Sequence, residues 1–293
     1  IVRASSPCTG ICKLDDKTGW CLGCGRSSPE MEDWRTQSEE WRQIIWKKIP
    51  QRLVALGVVC RRLPWATEEL RNFVLSSFEK SLGTWVMGVV GAVAEFTVVG
   101  AAPTHVELID DTITAYTRNG AIKMLINDDV RALNFGISNE KLRPQMVLAV
   151  KRNRARISSS KSVVELVNDE NPLIKERARR IFDLGLGRKE ARFCVRVNES
   201  ASQRALTACS GQSFEDALPK IAEPLISDSP TRVVETALGR IEVQGQIPNL
   251  DADSPLGPHT HLLPDQLLSG RSLPVGMELP RAYLPGATFF PAV

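Results

Sequence analysis

Apolar residues recur along this chain with two different periods. Trp41, Ile44, Ile45, Lys48 and Ile49 keep helical spacing until Pro50 interrupts it, and Thr36-Gln37-Ser38-Glu39 offers a capping box ahead of them. Ser27-Ser28-Pro29-Glu30 caps an earlier, shorter helix, with Pro early and an acid in the first turn. Residues 67–82 are amphipathic at the same period through Leu70, Phe73, Val74 and Phe78. From 106 the period falls to two. Runs at 106–109, 112–117, 121–126 and 130–135 alternate, with Asp110-Asp111 and Asn119-Gly120 between them as turns, and read as an antiparallel meander. Helices are expected over 140–151, 161–184 and 214–226, and strands over 192–197 and 233–244.

Residues 85–102 form the longest apolar run, eighteen residues with one charge, Glu95. That length is at the lower edge for a membrane span. Glu95 past the middle and several interrupting glycines favour a buried helix running into a buried strand, so no membrane association is expected. The pattern as a whole gives an α+β fold: a small Cys-rich head over 1–60 and a larger domain over 61–293 with an antiparallel sheet and packed helices. All six Trp lie in the first 85 residues, and eight of the eighteen Pro lie in the last fifty. From about 246 the chain is Pro-rich yet keeps large apolar side chains such as Leu262, Met277, Tyr283 and Phe290. Those side chains favour burial, so this tail is expected to wrap over the larger domain in extended form.

Composition narrows the function less than the pattern does. The 293 residues include 37 Lys and Arg against 34 Asp and Glu, a formal charge of +3, too small to announce a nucleic-acid protein. Three His exclude chemistry built on many imidazoles. The chain opens at Ile1 rather than Met, which leaves open whether a targeting segment precedes it.

Cysteine placement carries the chemistry. Cys8, Cys12, Cys21 and Cys24 fall within seventeen residues, while Cys60, Cys194 and Cys209 are scattered. A secreted scaffold spreads its Cys over the domain it staples. A tight cluster followed by isolated thiols fits a reduced, cytoplasmic setting and a metal site. In Cys21-Leu22-Gly23-Cys24-Gly25 the turn puts both sulfurs on one side, and Gly25 can take positive φ without a Cβ cost. Backbone N–H groups in such a turn point at sulfur. Pro7 and Gly10 shape the first turn. Four thiolates from two turns make a tetrahedral set for Zn²⁺, one iron or an iron–sulfur cluster. The head's own core, Trp34, Trp41, Ile45 and Ile49, is too small to hold it alone, and a metal would do the rest.

At these residues the sequence resembles a short bacterial family of unknown function, described as predicted iron–sulfur proteins. The match runs over Ser6 to Cys12, Leu14-Asp15, Gly19 to Arg26, Glu30 and Trp34, and continues loosely to Pro50. The resemblance implies a four-Cys metal site and no particular reaction. Its iron–sulfur label is itself a reading of the Cys pattern.

A second candidate site is weaker. His259 and His261 would share a face on a strand and could reach one metal or a substrate, with His105 as a third ligand. The alternative is a Pro-braced loop whose His bond to backbone. The basic stretch 151–161 reads as a solvated helix face and turn. It lacks the interleaved aromatics that a single-stranded nucleic acid would stack on, and only phosphate contact remains open to it. Cys60, Cys194 and Cys209 read as packed thiols. No phosphate-binding loop, dinucleotide fingerprint, nucleophile elbow or His-Glu-x-x-His is present. Three functions follow. An iron–sulfur head passes electrons or senses redox state with a redox or protein partner. A zinc head is a structural or interaction module. An enzyme uses the His site.

Overall fold

The computed structural model describes residues 6–58, 60–89, 92–98, 105–135, 146–154, 157–158, 160–167, 173, 180–187, 191–198, 200–244 and 279–292. The fold is α+β, with two antiparallel sheets and helices at their margins. In the head, α1 (Ser28–Glu32) starts at Ser27, and the Glu30 carboxylate accepts from the Ser27 N–H at 2.9 Å. This is the expected capping box. Helix α2 (Glu39–Ala55) starts two residues later than the Thr36 box implied, with Ser38 accepting from the Trp41 N–H. It also runs through Pro50 instead of stopping there. A proline inside a helix costs about 3 kcal/mol. Ile45, Trp46, Ile49 and Leu53, buried along one side of α2, offset it.

The larger part holds fourteen strands in chain order, among the described residues. One sheet has six strands: β1 (Cys60–Arg62), β7 (Val130–Phe135), β8 (Met146–Lys151), β14 (Tyr283–Pro291), β2 (Gly83–Val89) and β3 (Ala92–Val98), neighbours in that order. The other has eight: β4 (His105–Ile109), β5 (Thr112–Thr117), β6 (Gly120–Leu125), β13 (Gly239–Val243), β12 (Thr231–Thr236), β11 (Ala191–Val197), β10 (Arg180–Asp183) and β9 (Val164–Leu166). The main core lies between them. Trp85, Phe96, Leu148 and Phe289 of the first sheet meet Ile113, Ile122, Phe193 and Ile241 of the second in one buried cluster. Helix α3 (Thr67–Glu79) adds Leu70, Val74 and Phe78, and α4 (Ala201–Ala208) and α5 (Phe214–Asp228) add Leu206, Ile221 and Leu225. Trp85 donates its indole N–H to Ser77 Oγ at 2.8 Å, so the polar end of a fully buried ring is satisfied.

Several expectations change. Within the run 85–102, residues 85–89 and 92–98 belong to the antiparallel pair β2 and β3 where a helix running into a strand was expected, and no helix of the described residues is long and apolar enough to cross a membrane. The meander holds for β4–β5–β6 only, because β7 leaves to pair with β1 and β8 in the other sheet. Within 140–151, residues 146–151 are strand β8, buried over five consecutive positions. Within 161–184 the described elements are strands β9 and β10. Most of the Pro-rich tail lies outside the described residues. Its end, β14, is inserted between β8 and β2 as an inner strand, where a wrap over the outside was expected.

The eight-stranded sheet carries a chain of alternating charge on the face away from the core. Arg192 pairs with Glu235, Glu235 with Arg240 at 3.2 Å, Arg240 with Glu242 at 3.3 Å, and Glu242 with Arg196 at 2.9 Å. Arg196 and Glu242 are fully buried.

Candidate metal centre

The head is a short antiparallel ladder with Cys at its ends. Asp15 begins the reversal: its carboxylate accepts from both the N–H and the hydroxyl of Thr18 at 2.8 Å. The chain returns through backbone bonds Asp15 N–H to Trp20 O and Leu22 N–H to Lys13 O. That pairing sets Leu14 opposite Cys21, and so brings the segment of Cys12 beside Cys21. Gly25 closes the second turn at φ 68°, in the positive region expected of it, and donates its N–H to Cys21 O at 2.8 Å. Gly10 of the first turn has φ 82°.

Sulfur receives donors as the turns require. The Gly10 N–H points at Cys8 Sγ and the Gly23 N–H at Cys21 Sγ, each at 3.4 Å. Arg26 adds its Nε to Cys24 Sγ at 3.4 Å. The two turns are also pressed together. A Cβ placed on Gly23 would stand 2.4 Å from Thr9 Oγ1, so only glycine fits there. Cys21 and Cys24 are buried, Cys8 is half-buried and Cys12 exposed. The Cys12 thiol is pushed above its ordinary value by the Cys8 charge beside it, with burial and Cys21 adding. Burial pushes Cys24 up, against the opposing bond from Arg26. Crowded thiols of this kind hold their protons in the absence of a cation. Among the described residues, no three His, Cys, Asp or Glu side chains stand as a ready-made cage for an ion. The donor set and the N–H···S bonds nevertheless suit a thiolate-bound metal.

Helix α2 anchors the turns through a residue the pattern did not single out. Arg52 binds the Glu30 carboxylate with both terminal nitrogens, at 2.6 and 3.0 Å, donates to Gly25 O at 3.1 Å, and lies 5.2 Å from the Trp20 ring centroid. Arg26 stands 4.7 Å over the Trp34 ring. A basic residue two positions past Pro50 was the available signal, obscured by placing the helix end at that proline.

The second candidate site is not assembled among the described residues. His105 sits exposed on β4, its Nε2 4.0 Å from Glu107 and its ring 6.1 Å from that of Tyr116. His259 and His261 lie outside the described residues. Cys194 and Cys209 are buried, and burial pushes Cys60 up to about 12.

Fold and site together define a two-sheet α+β body with a four-Cys turn pair at its N-terminal side. The chain belongs to the family of unknown function DUF6925, whose model matches residues 69–293. A model described as protein of unknown function, DUF1289, matches residues 6–53, the stretch that carries the Cys turns. Over 49 residues the chain is 41% identical to the uncharacterized protein YdhL of Escherichia coli K12 and to its counterpart in Shigella flexneri, covering 17% of this chain and 61% of the relative. The chain thus spans less than two thirds of the length of the curated relatives it matches. No solved structure matches it.

Proposed function

We propose that residues 6–58 are a metal-binding head in which Cys8, Cys12, Cys21 and Cys24 supply the ligands. The observation that supports this most is the pair of turns, each aiming a backbone N–H at its leading sulfur and pressed against the other through Gly23 and Thr9. Close approach of the turns favours one small ion, and zinc is the fit for four thiolates. Bound zinc would supply folding free energy to a segment whose buried core is five side chains, Trp34, Ile45, Trp46, Ile49 and Leu53. The more exposed first pair is the side that adjusts on loading. On this reading the head is a stapled structural or interaction module, in a cytoplasmic setting that keeps its thiols reduced.

The second reading, an iron–sulfur cluster for electron transfer or redox sensing, draws on the family resemblance and on the exposure of Cys12, which gives a redox partner access. Anaerobic purification of the full chain with metal and acid-labile sulfide analysis separates them. One zinc per chain in colourless protein is the expected result. Brown protein with labile sulfide selects the cluster. Failure to take up zinc, or iron with sulfide, after reconstitution overturns both.

A further inference from the structure

The six-stranded sheet has an outer face away from the core. Register places Arg131 opposite Ala149 and Lys151 opposite Tyr283, and Arg62 opposite Leu133, so alternation sets Arg62, Arg131, Lys151 and Tyr283 on that one face. The first Cys turn covers it. The Tyr283 hydroxyl donates to Cys8 O at 3.1 Å, and Arg62 donates to the Ser6 carbonyl. A Cβ on Gly10 would come within 2.7 Å of Ala282 Cβ, so the turn rests directly on the start of β14.

Between turn and sheet lies a cavity of about 830 Å³. Five cationic side chains line it, Arg62, Arg131, Lys151, Arg152 and Arg281, and no carboxylate among the described residues does. At its rim Lys151 reaches Asp129 at 3.6 Å, Arg152 donates its Nε to Arg281 O at 2.8 Å, and Arg131 donates to Val130 O at 2.7 Å. Arg62 is only 7% exposed, and its Nε, like that of Arg131, has no hydrogen-bond partner among the described residues. Burial and the neighbouring Arg131 charge pull Arg62 down to about 10. Like charges held together in a concave, partly desolvated place cost free energy unless an anion compensates them.

We propose that this cavity binds a small molecule bearing a phosphate or pyrophosphate group. Guanidinium forks from different strands can share the several oxygens of such a group. A single carboxylate would leave most of the charge of Arg62, Arg131 and Arg281 without an anionic partner among the described residues. A cavity of this size also has room for the organic remainder of a phosphate ester. Lys151 and Arg152 belong to the basic stretch read from sequence as a solvated helix face and turn. Lys151 instead ends strand β8, and Arg152 lies in the turn after it, beside Arg281.

The inference stands apart from the identity of the metal. It is tested by titration calorimetry on the full chain with inorganic phosphate and pyrophosphate, at low salt and at 0.15 M. Saturable one-to-one binding of pyrophosphate is expected, weakened at least tenfold in Arg62→Gln and in Arg131→Gln. Should either fail to fold, Arg281→Gln, at the exposed rim, still weakens binding severalfold. Lys47→Gln, exposed on α2 and outside the lining, leaves it unchanged. No saturable binding by the unaltered chain, equal binding by the pocket variants, or displacement of pyrophosphate by lower concentrations of citrate overturns the proposal.

Discussion

Cys60 is packed on the outer face of the six-stranded sheet, and its environment makes it a reporter of the body's integrity. It sits on β1 beside Val147 and Leu133, and burial holds its proton until about 12, against 9.0 for the free side chain. Between those values the unfolded chain has released the proton and the folded one has not. The unfolded state therefore binds fewer protons, and stability falls as pH rises from about 9 towards 12. Urea midpoints of metal-free protein taken at pH 8, 9.5 and 10.5 should decline in that order, and Cys60→Ala should flatten the decline. At this scale the sequence was informative where a residue's role is local. The turn residues Gly25 and Gly10 and the Glu30 cap were legible because each answers to its immediate neighbours. Arg52 was not, because its partners Glu30 and Gly25 lie 22 and 27 positions away.

Elements in the head depend on one another unequally. Helix α2 has its own cap, but what orders the Cys turns is a few backbone bonds, the Arg52–Glu30 pair and the proposed metal. A charge-assisted pair of this kind contributes about 1.5–3 kcal/mol, whereas structural zinc contributes on the order of 10 kcal/mol. Cys21→Ser should therefore remove amide-exchange protection from residues 8–50 while leaving the two-sheet body protected. Native exchange in that variant would mean the thiols are not structural ligands. Among the body's elements, the alternating strands β4, β5 and β6 were readable because each has one buried face. Strand β8 was not, since Met146 to Val150 is buried at every position, and a short unbroken apolar run carries no period to tell strand from helix.

Over the whole molecule, the architecture turns on which strand goes to which sheet. Hydrophobic alternation tells that β7 is a strand but not that it abandons β6 for β8, because the choice rests on long-range packing. In the described end of the tail, Tyr283, Leu284, Phe289 and Phe290 are buried as their apolar character demands, while the proline content suggested an outside wrap. Pro285 stands where the register of β14 against β8 shifts, next to Gly286, which is how a central strand tolerates it. The ring of Phe289 meets those of Phe73 and Trp85 at centroid distances of 5.3 and 4.9 Å. Phe289→Ala should cost about 3–5 kcal/mol, read as a fall in the urea midpoint. A chain ending before residue 279 should be insoluble or lose its cooperative transition. A truncated chain that melts as the full one does would show β14 to be dispensable.

The place of β14 also bears on how the chain is made. Between the end of β3 and the start of this strand, a ribosome adds residues for on the order of 10–40 s at ordinary elongation rates. Throughout that interval β2 keeps a bare edge, and β8 keeps one from its own completion at residue 151, each with N–H and C=O groups facing the gap that only the later β14 fills. The nascent chain thus carries an edge open to mispairing while the residues between β3 and β14 are added. Its folded yield on expression should therefore rise with added chaperone more than its final stability would suggest, and an unchanged soluble yield would show that the open edges are harmless.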